Sequence, residues 1–521
     1  MSKKLSSYLL ICVLFLSAAP GVSAQHPPQD KPTAPAAAQA PAPPLATPAP
    51  STTQHTIKVG SKVLNFTATA AMMPMKDDNG KVLANIFYIA YTLNGVTDRT
   101  KRPVLFSFNG GPGSSSVWMH MGFLGPRRVV YDDEGFALKP PYRLEDNAQS
   151  ILDEADLVFI DPVATGYSRM APGEDLHKFH GVMEDLASVG DFIRLWITKN
   201  GRWDSPKFII GESYGTTRAS GLTGYLLNHY NIYLNGTILV SSMTLGVRLG
   251  ADMETAMIFP HYTATAWYHK RLPADLQAKP LRDVLDESEK FAVGEYTVAL
   301  AKGNTLTAAE TDAIAAKVAR LSGLSAEYVK RSNLRVDVMQ FQKELLRDKG
   351  LTVGRLDSRY TAVDKRSAGE YPEDDPAMSN WSGAFTGAVN QYFKNELKFE
   401  TDLNYNIFGD VGTWRGMNMF GEMDSAPGSF FRRTEGVGEM LRSAMVRNPY
   451  QKVLVLAGYY DGGCDYYSAE YAFSHLDPAG SIKDRVKFAY YECGHMMYIR
   501  KSDLAKAKAD LAAFIRSCLE D

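Results

Sequence analysis

Residues 207–220, KFIIGESYGTTRAS, set a short apolar run directly against a glycine-bounded serine and then a segment of helical period. Phe208, Ile209 and Ile210 have the length and composition of a buried strand. Beyond the serine, Ala219, Leu222, Tyr225 and Leu226 recur at helical spacing. Strand, tight turn and helix is the context that gives Gly211-Glu212-Ser213-Tyr214-Gly215 a chemical meaning. The two glycines permit a sharp turn and close packing, so the serine hydroxyl stands above the first turn of the helix. Free N–H groups at that end favour developing negative charge, and Tyr214 N–H, next in the chain, is placed to donate to it. Alone, the pentapeptide reads equally well as a glycine-bounded turn with a capping serine. The rest of the chain decides.

The surrounding sequence is that of an α/β domain. Val104–Phe108, Asp156–Asp161, Gly236–Val240, Lys452–Ala457 and Val486–Tyr491 are short apolar strands, and Thr56–Val59, Val63–Phe66 and Ala84–Tyr91 precede them. Helical stripes run from Val182 to Lys199 and from about Ser502 to Cys518. Buried strands alternating with helices imply a mainly parallel sheet. The pattern breaks across residues 245–433, where 284–301, 308–322 and 335–348 read as amphipathic helices followed by an irregular Gly-, Asp- and aromatic-rich stretch. An insertion between sheet-forming halves 55–244 and 434–521 suggests a largely helical cap over the C-terminal strand ends, where such sheets bind ligands. An independent domain with its own core is the other reading.

The N-terminus has a different texture. Lys3 and Lys4 precede an apolar run from Tyr8 to Ala19, and Val22-Ser23-Ala24 supplies small residues before Gln25. Residues 1–24 therefore read as an export signal peptide, the run being too short to span a bilayer, so the mature protein carries no membrane span. Residues 25–54, dense in Pro and Ala, read as a disordered tether. Three cysteines then remain, Cys464, Cys493 and Cys518, an odd number that excludes a disulfide-built scaffold. The net charge of -2 over 521 residues, with basic residues never beyond a pair, gives no argument for nucleic acid as a partner.

A serine nucleophile needs a base, and the base needs a group to hold its tautomer. In α/β-hydrolase order the acid and then the histidine follow the serine. Of the two histidines beyond residue 270, His475 lies in a helix-like run, whereas His495 follows a strand. Asp461 comes off strand 452–457 in Gly458-Tyr459-Tyr460-Asp461-Gly462-Gly463-Cys464, with Asp465 and Asp410 as alternatives. Asn109-Gly110-Gly111-Pro112-Gly113 allows a backbone close to a reacting carbonyl, so Gly111 N–H can partner Tyr214 N–H as an oxyanion hole. A phosphate loop is excluded there by the missing lysine. His177 and His180 read as a solvated surface pair, and no metal set is expected.

Together these stretches resemble the serine carboxypeptidases, in the branch typified by the yeast enzyme and its plant relatives. The matching segments are NGGPGSSS (109–116), DPVATGYS (161–168), GESYG (211–215), GYYDGGC (458–464) and GHM (494–496). The resemblance implies an α/β-hydrolase fold, a triad of Ser213, Asp461 and His495, and an oxyanion hole of Gly111 and Tyr214. It also implies that Asn109 and Glu212 bind a peptide's C-terminal carboxylate, that Cys464 and Met496 belong to the pocket, and that no cofactor is needed. A carboxylate beside Glu212 requires a shared proton, which suits the family's acid optimum. Two departures stand out: Phe123 occupies the place of a family glutamate, and Ser114 that of a half-cystine. Cys464 is then either a free thiol or bridged locally to Cys493. The implied activity is C-terminal peptide hydrolysis; ester hydrolysis or acyl transfer by the same triad is the alternative, and a binding protein with a decayed site a remote third.

Overall fold

The computed structural model describes residues 47–415 and 436–520; the signal-like stretch, most of the Pro/Ala-rich segment and the end of the insertion lie outside them. Nine strands make the central sheet: β1 Ser51–Val59, β2 Lys62–Lys76, β3 Val82–Leu93, β4 Val104–Phe108, β5 Asp156–Ile160, β6 Lys207–Ser213, β7 Gly236–Ser242, β8 Lys452–Gly458 and β9 Val486–Tyr491. Their spatial order is β1-β2-β3-β5-β4-β6-β7-β8-β9, and the two-residue strand Arg169–Met170 pairs with β3. From β5 to β9 every pairing is parallel. The antiparallel β1, β2 and β3 extend one edge. The first strand starts at Ser51, so residues 51–54 belong to the sheet and not to the tether.

The continuous apolar runs arise because both faces of the parallel strands are covered. On one face Leu105, Phe159, Phe208, Ile210, Ile238 and Leu456 pack with Leu504, Leu511 and Ile515 of the helix Lys501–Ser517. On the other, Phe106, Val158, Ile209, Leu239 and Val455 pack with Leu186, Val189 and Phe192 of the helix Val182–Lys199 and with Leu222 of Tyr214–Tyr230. Side chains alternate between the two clusters along each strand, as a period of two requires.

The insertion divides into two parts. Between residues 249 and 353 its helices gather around their own cluster, with Phe259, Tyr262, Val284, Val318 and Phe341 at its centre. The helix Ala308–Ser322 forms as the spacing predicts, opened by a Thr307–Glu310 capping box and closed by Gly323 at φ 72°. The expected helix 284–301 is instead two, Leu281–Phe291 and Thr297–Lys302, joined through a wider turn at Gly294 (φ -103°, ψ -108°). The third helix is shorter than read, Val338–Glu344. The stretch read as irregular holds the 20-residue helix Pro376–Asn395. Its Trp381, Phe385, Val389 and Tyr392 join the core beneath the sheet.

Candidate active site

Four parallel strands deliver the site from one edge of the sheet. β4 runs into Asn109–Gly113, β6 ends at Ser213, β8 leads to Asp461 and β9 to His495. Ser213 sits at φ 61° and ψ -128°, a strained turn that leads straight into the helix Tyr214–Tyr230. Glycine is obligatory around it: a Cβ on Gly211 would lie 2.0 Å from Gly215 O, and one on Gly110 would lie 2.4 Å from Tyr214 N. The loop Asn109–Gly113 and the serine turn are thus pressed backbone to backbone.

His495 Nδ1 lies 2.7 Å from Asp461 Oδ2, and both residues are buried. Asp461 Oδ1 accepts from Gly463 N at 2.8 Å and Cys464 N at 3.0 Å, so the carboxylate is held at both oxygens. With Nδ1–H donated to Asp461, Nε2 is left as the acceptor that a general base needs. The other acid candidates do not join: Asp465 caps the helix Tyr466–Leu476 and Asp410 is exposed. His475 is exposed on that helix. Burial alone would lower the His495 pKa, but the Asp461 carboxylate and, further off, Glu212 more than offset it and leave the imidazole above its ordinary value.

Ser213, His495, Asn109, Gly111, Glu212 and Met496 line one cavity of about 260 Å³. Trp118, Met378, Trp381 and Phe408 supply its apolar wall. Glu212 is buried, and burial, with Asp461 adding, raises its pKa to about 7 against the opposing effects of His495, Tyr498 and Asn109. Tyr498 Oη donates to Glu212 Oε2 at 2.5 Å. Asn109 Oδ1 accepts from Met119 N at 3.1 Å, which turns its amide nitrogen to the Glu212 side. Phe123 stacks flat on Tyr498 at 5.2 Å, and Ser114 accepts from Trp118 Nε1 at 2.9 Å.

Cys464 and Cys493 are both free thiols, so the local disulfide does not form. Cys464 hydrogen-bonds Ser213, whereas Cys493 is turned away to Arg359 Nη2 at 2.8 Å. Asp461, Cys464 and His495 bring ligand-type atoms within 4.8 Å of one another, but the first and last are already hydrogen-bonded to each other. His180 is not at the surface: it is buried and stacks on Trp414, apart from exposed His177.

Two buried ion pairs that no motif signalled brace the site. Asp357 and Arg359, from the insertion, pair at 2.6 Å, and Asp357 Oδ2 accepts from Gly494 N at 3.0 Å. Beside them Leu356 O accepts from His495 N at 2.7 Å and Arg355 O from Gly462 N at 2.8 Å. The insertion therefore grips both the acid and the histidine loops. Below the serine turn, Arg218 bridges Asp185 (2.8 Å) and Asn109 O (2.6 Å).

A mainly parallel sheet whose strand ends present serine, acid and histidine in that chain order defines an α/β-hydrolase. Within that class the family model for serine carboxypeptidases matches residues 61–490, and the chain belongs to that family. It is 28% identical to serine carboxypeptidase-like 38 of Arabidopsis thaliana over 190 residues, 34% of this chain and 36% of that protein. It is 30% identical to the pheromone-processing carboxypeptidase KEX1 of Saccharomyces cerevisiae over 150 residues, 27% of this chain and 19% of that protein. These matches thus span about a third or less of the curated relatives' length. The crystal structure of that yeast prohormone-processing carboxypeptidase shares the fold, with a TM-score of 0.51 at 15% identity over 86% of this chain and 91% of that one.

Proposed function

We propose that this chain is an exported serine carboxypeptidase that releases the C-terminal residue of peptides through an acyl-enzyme on Ser213, and does so best in mild acid. One arrangement carries the reading: Ser213 and His495, the latter paired with Asp461, share a cavity with Asn109 and Glu212. His495 Nε2 takes the Ser213 proton as Oγ attacks the scissile carbonyl, and Asp461 stabilises the imidazolium. Gly111 N–H and Tyr214 N–H receive the oxyanion. The C–N bond breaks as His495 returns the proton to the leaving amine. Water, deprotonated by His495, then cleaves the ester and restores Ser213.

Asn109 and Glu212 make this an exopeptidase by holding the free carboxylate one residue past the scissile bond. Two adjacent carboxylates are tolerable only if one carries a proton, so binding weakens as pH rises through the Glu212 pKa of about 7. Glu212 is also one of the charges that hold His495 protonated. An arriving carboxylate raises Glu212 further, and a neutral Glu212 releases His495 to act as the base. Residues 1–24 act as the cleaved leader, and residues 245–433 as the cap.

The test is active-site labelling combined with product analysis. A fluorophosphonate probe labels the wild type and not Ser213→Ala, and blocked dipeptides release their C-terminal amino acid. Labelling that persists in the variant redirects attention to Ser115. Hydrolysis of esters with no release from peptides establishes the esterase or acyltransferase alternative instead.

A further inference from the structure

Glu212, which lines the cavity, is hydrogen-bonded from behind by Tyr498, and nothing in the catalytic steps above uses the tyrosine. Its hydroxyl donates to Glu212 Oε2 at 2.5 Å from full burial. The direction of that bond is determined by its neighbours. Met119 N donates to Asn109 Oδ1, so the Asn109 amide presents its N–H groups, and it bonds both Tyr498 and Glu212. A phenol oxygen that already accepts from an amide has its proton free for the carboxylate.

The tyrosine ring is seated for this contact. Tyr498 stands on the turn Met497–Ile499, three residues past the catalytic histidine. Phe123 lies parallel to it, and a Cβ on Gly122 would come within 2.6 Å of Tyr498 Cε2, so only glycine leaves room. Besides Tyr498 and Asn109, the groups that act on Glu212 are His495 and Asp461; Tyr131 also acts on Tyr498.

We propose that Tyr498 is a positioning residue for recognition of the substrate's carboxylate: its hydroxyl orients Glu212 and sets the pH above which free C-terminal carboxylates are refused. The inference rests on the carboxypeptidase reading. A donor to a carboxylate favours the ionised form. Burial drives Glu212 toward the neutral form, and Tyr498 pulls it back. Deleting the hydroxyl therefore lets Glu212 keep its proton to higher pH, and binding of a carboxylate persists with it.

Tyr498→Phe retains the ring and its stacking on Phe123, and kcat/KM is read against pH for a blocked dipeptide acid and for an ester lacking a free carboxylate. The alkaline limb of the acid substrate moves up by about one to two pH units, the worth of a hydrogen bond to a charged group. The ester, with no carboxylate to be refused, shows no matching upward shift of its alkaline limb. In a Glu212→Gln background the same substitution moves neither limb. Should Tyr498→Phe fail to fold, 3-fluorotyrosine placed at position 498 keeps the hydroxyl, donates more strongly and moves the limb down. Superimposable limbs in a wild type that still prefers the acid over its amide overturn the role of Tyr498 alone. A wild type indifferent to the free carboxylate overturns the carboxypeptidase reading beneath it.

Discussion

Ser213 holds a backbone conformation that costs an L-residue about 1–3 kcal/mol, retained because the turn aims its oxygen. Ser213→Ala should lower kcat by about 10⁴-fold with little change in KM. Ser213→Gly should be as inactive yet raise the urea midpoint of unfolding, since glycine adopts a positive φ freely; a lower midpoint would mean the turn is unstrained. At Glu212, peptide hydrolysis should decline as pH rises through about 7. Glu212→Gln cannot titrate and should flatten that decline between about pH 5 and 8, with ester cleavage less affected. Ser213, Asp461 and His495 were legible as candidates because each sits on a strand-end loop in the chain order of the α/β-hydrolase fold. Tyr498 was not, because its role lies in a contact 286 residues away.

The elements show why some of the architecture reads directly. Strands buried on both faces announce themselves as unbroken apolar runs, and β4 to β9 fell where those runs lie. The helix Pro376–Asn395 escaped because Gly383, Gly387 and several Ser and Asn residues dilute its apolar stripe, although Asp375 caps it and Pro376 opens it. The brace on the histidine loop was equally hidden, since Asp357 meets Gly494 only in the folded chain. A Cβ on Gly494 would fall 2.5 Å from Asp357 Cα and 2.4 Å from its Cβ, both unable to yield. Gly494→Ala should displace His495 and cut kcat by at least tenfold, in line with catalytic groups misplaced by about 1 Å. Asp357→Ala, which strands Arg359 in the interior, should cost about 3–5 kcal/mol in denaturant unfolding. Wild-type kcat in Gly494→Ala would show that the brace does not position the base.

At the scale of the whole molecule, the strand ends carry the candidate site, and residues 355–357 of the insertion bond to the loops that hold Asp461 and His495. No helix among the described residues is long and apolar enough to cross a membrane. N-terminal sequencing of the protein from its native host should begin near Gln25; an intact Met1 in a cytoplasmic fraction would contradict export. The central claim is narrower, that the cavity reads a free C-terminus while Ser213 cuts one residue before it. The most direct measurement compares kcat/KM for one blocked dipeptide as its acid and as its C-terminal amide, at about pH 5, where Glu212 holds its proton. A hydrogen bond to a charged group is worth about 1.5–3 kcal/mol, so the acid should be preferred by roughly 10- to 150-fold, and equal rates for the two would contradict the account.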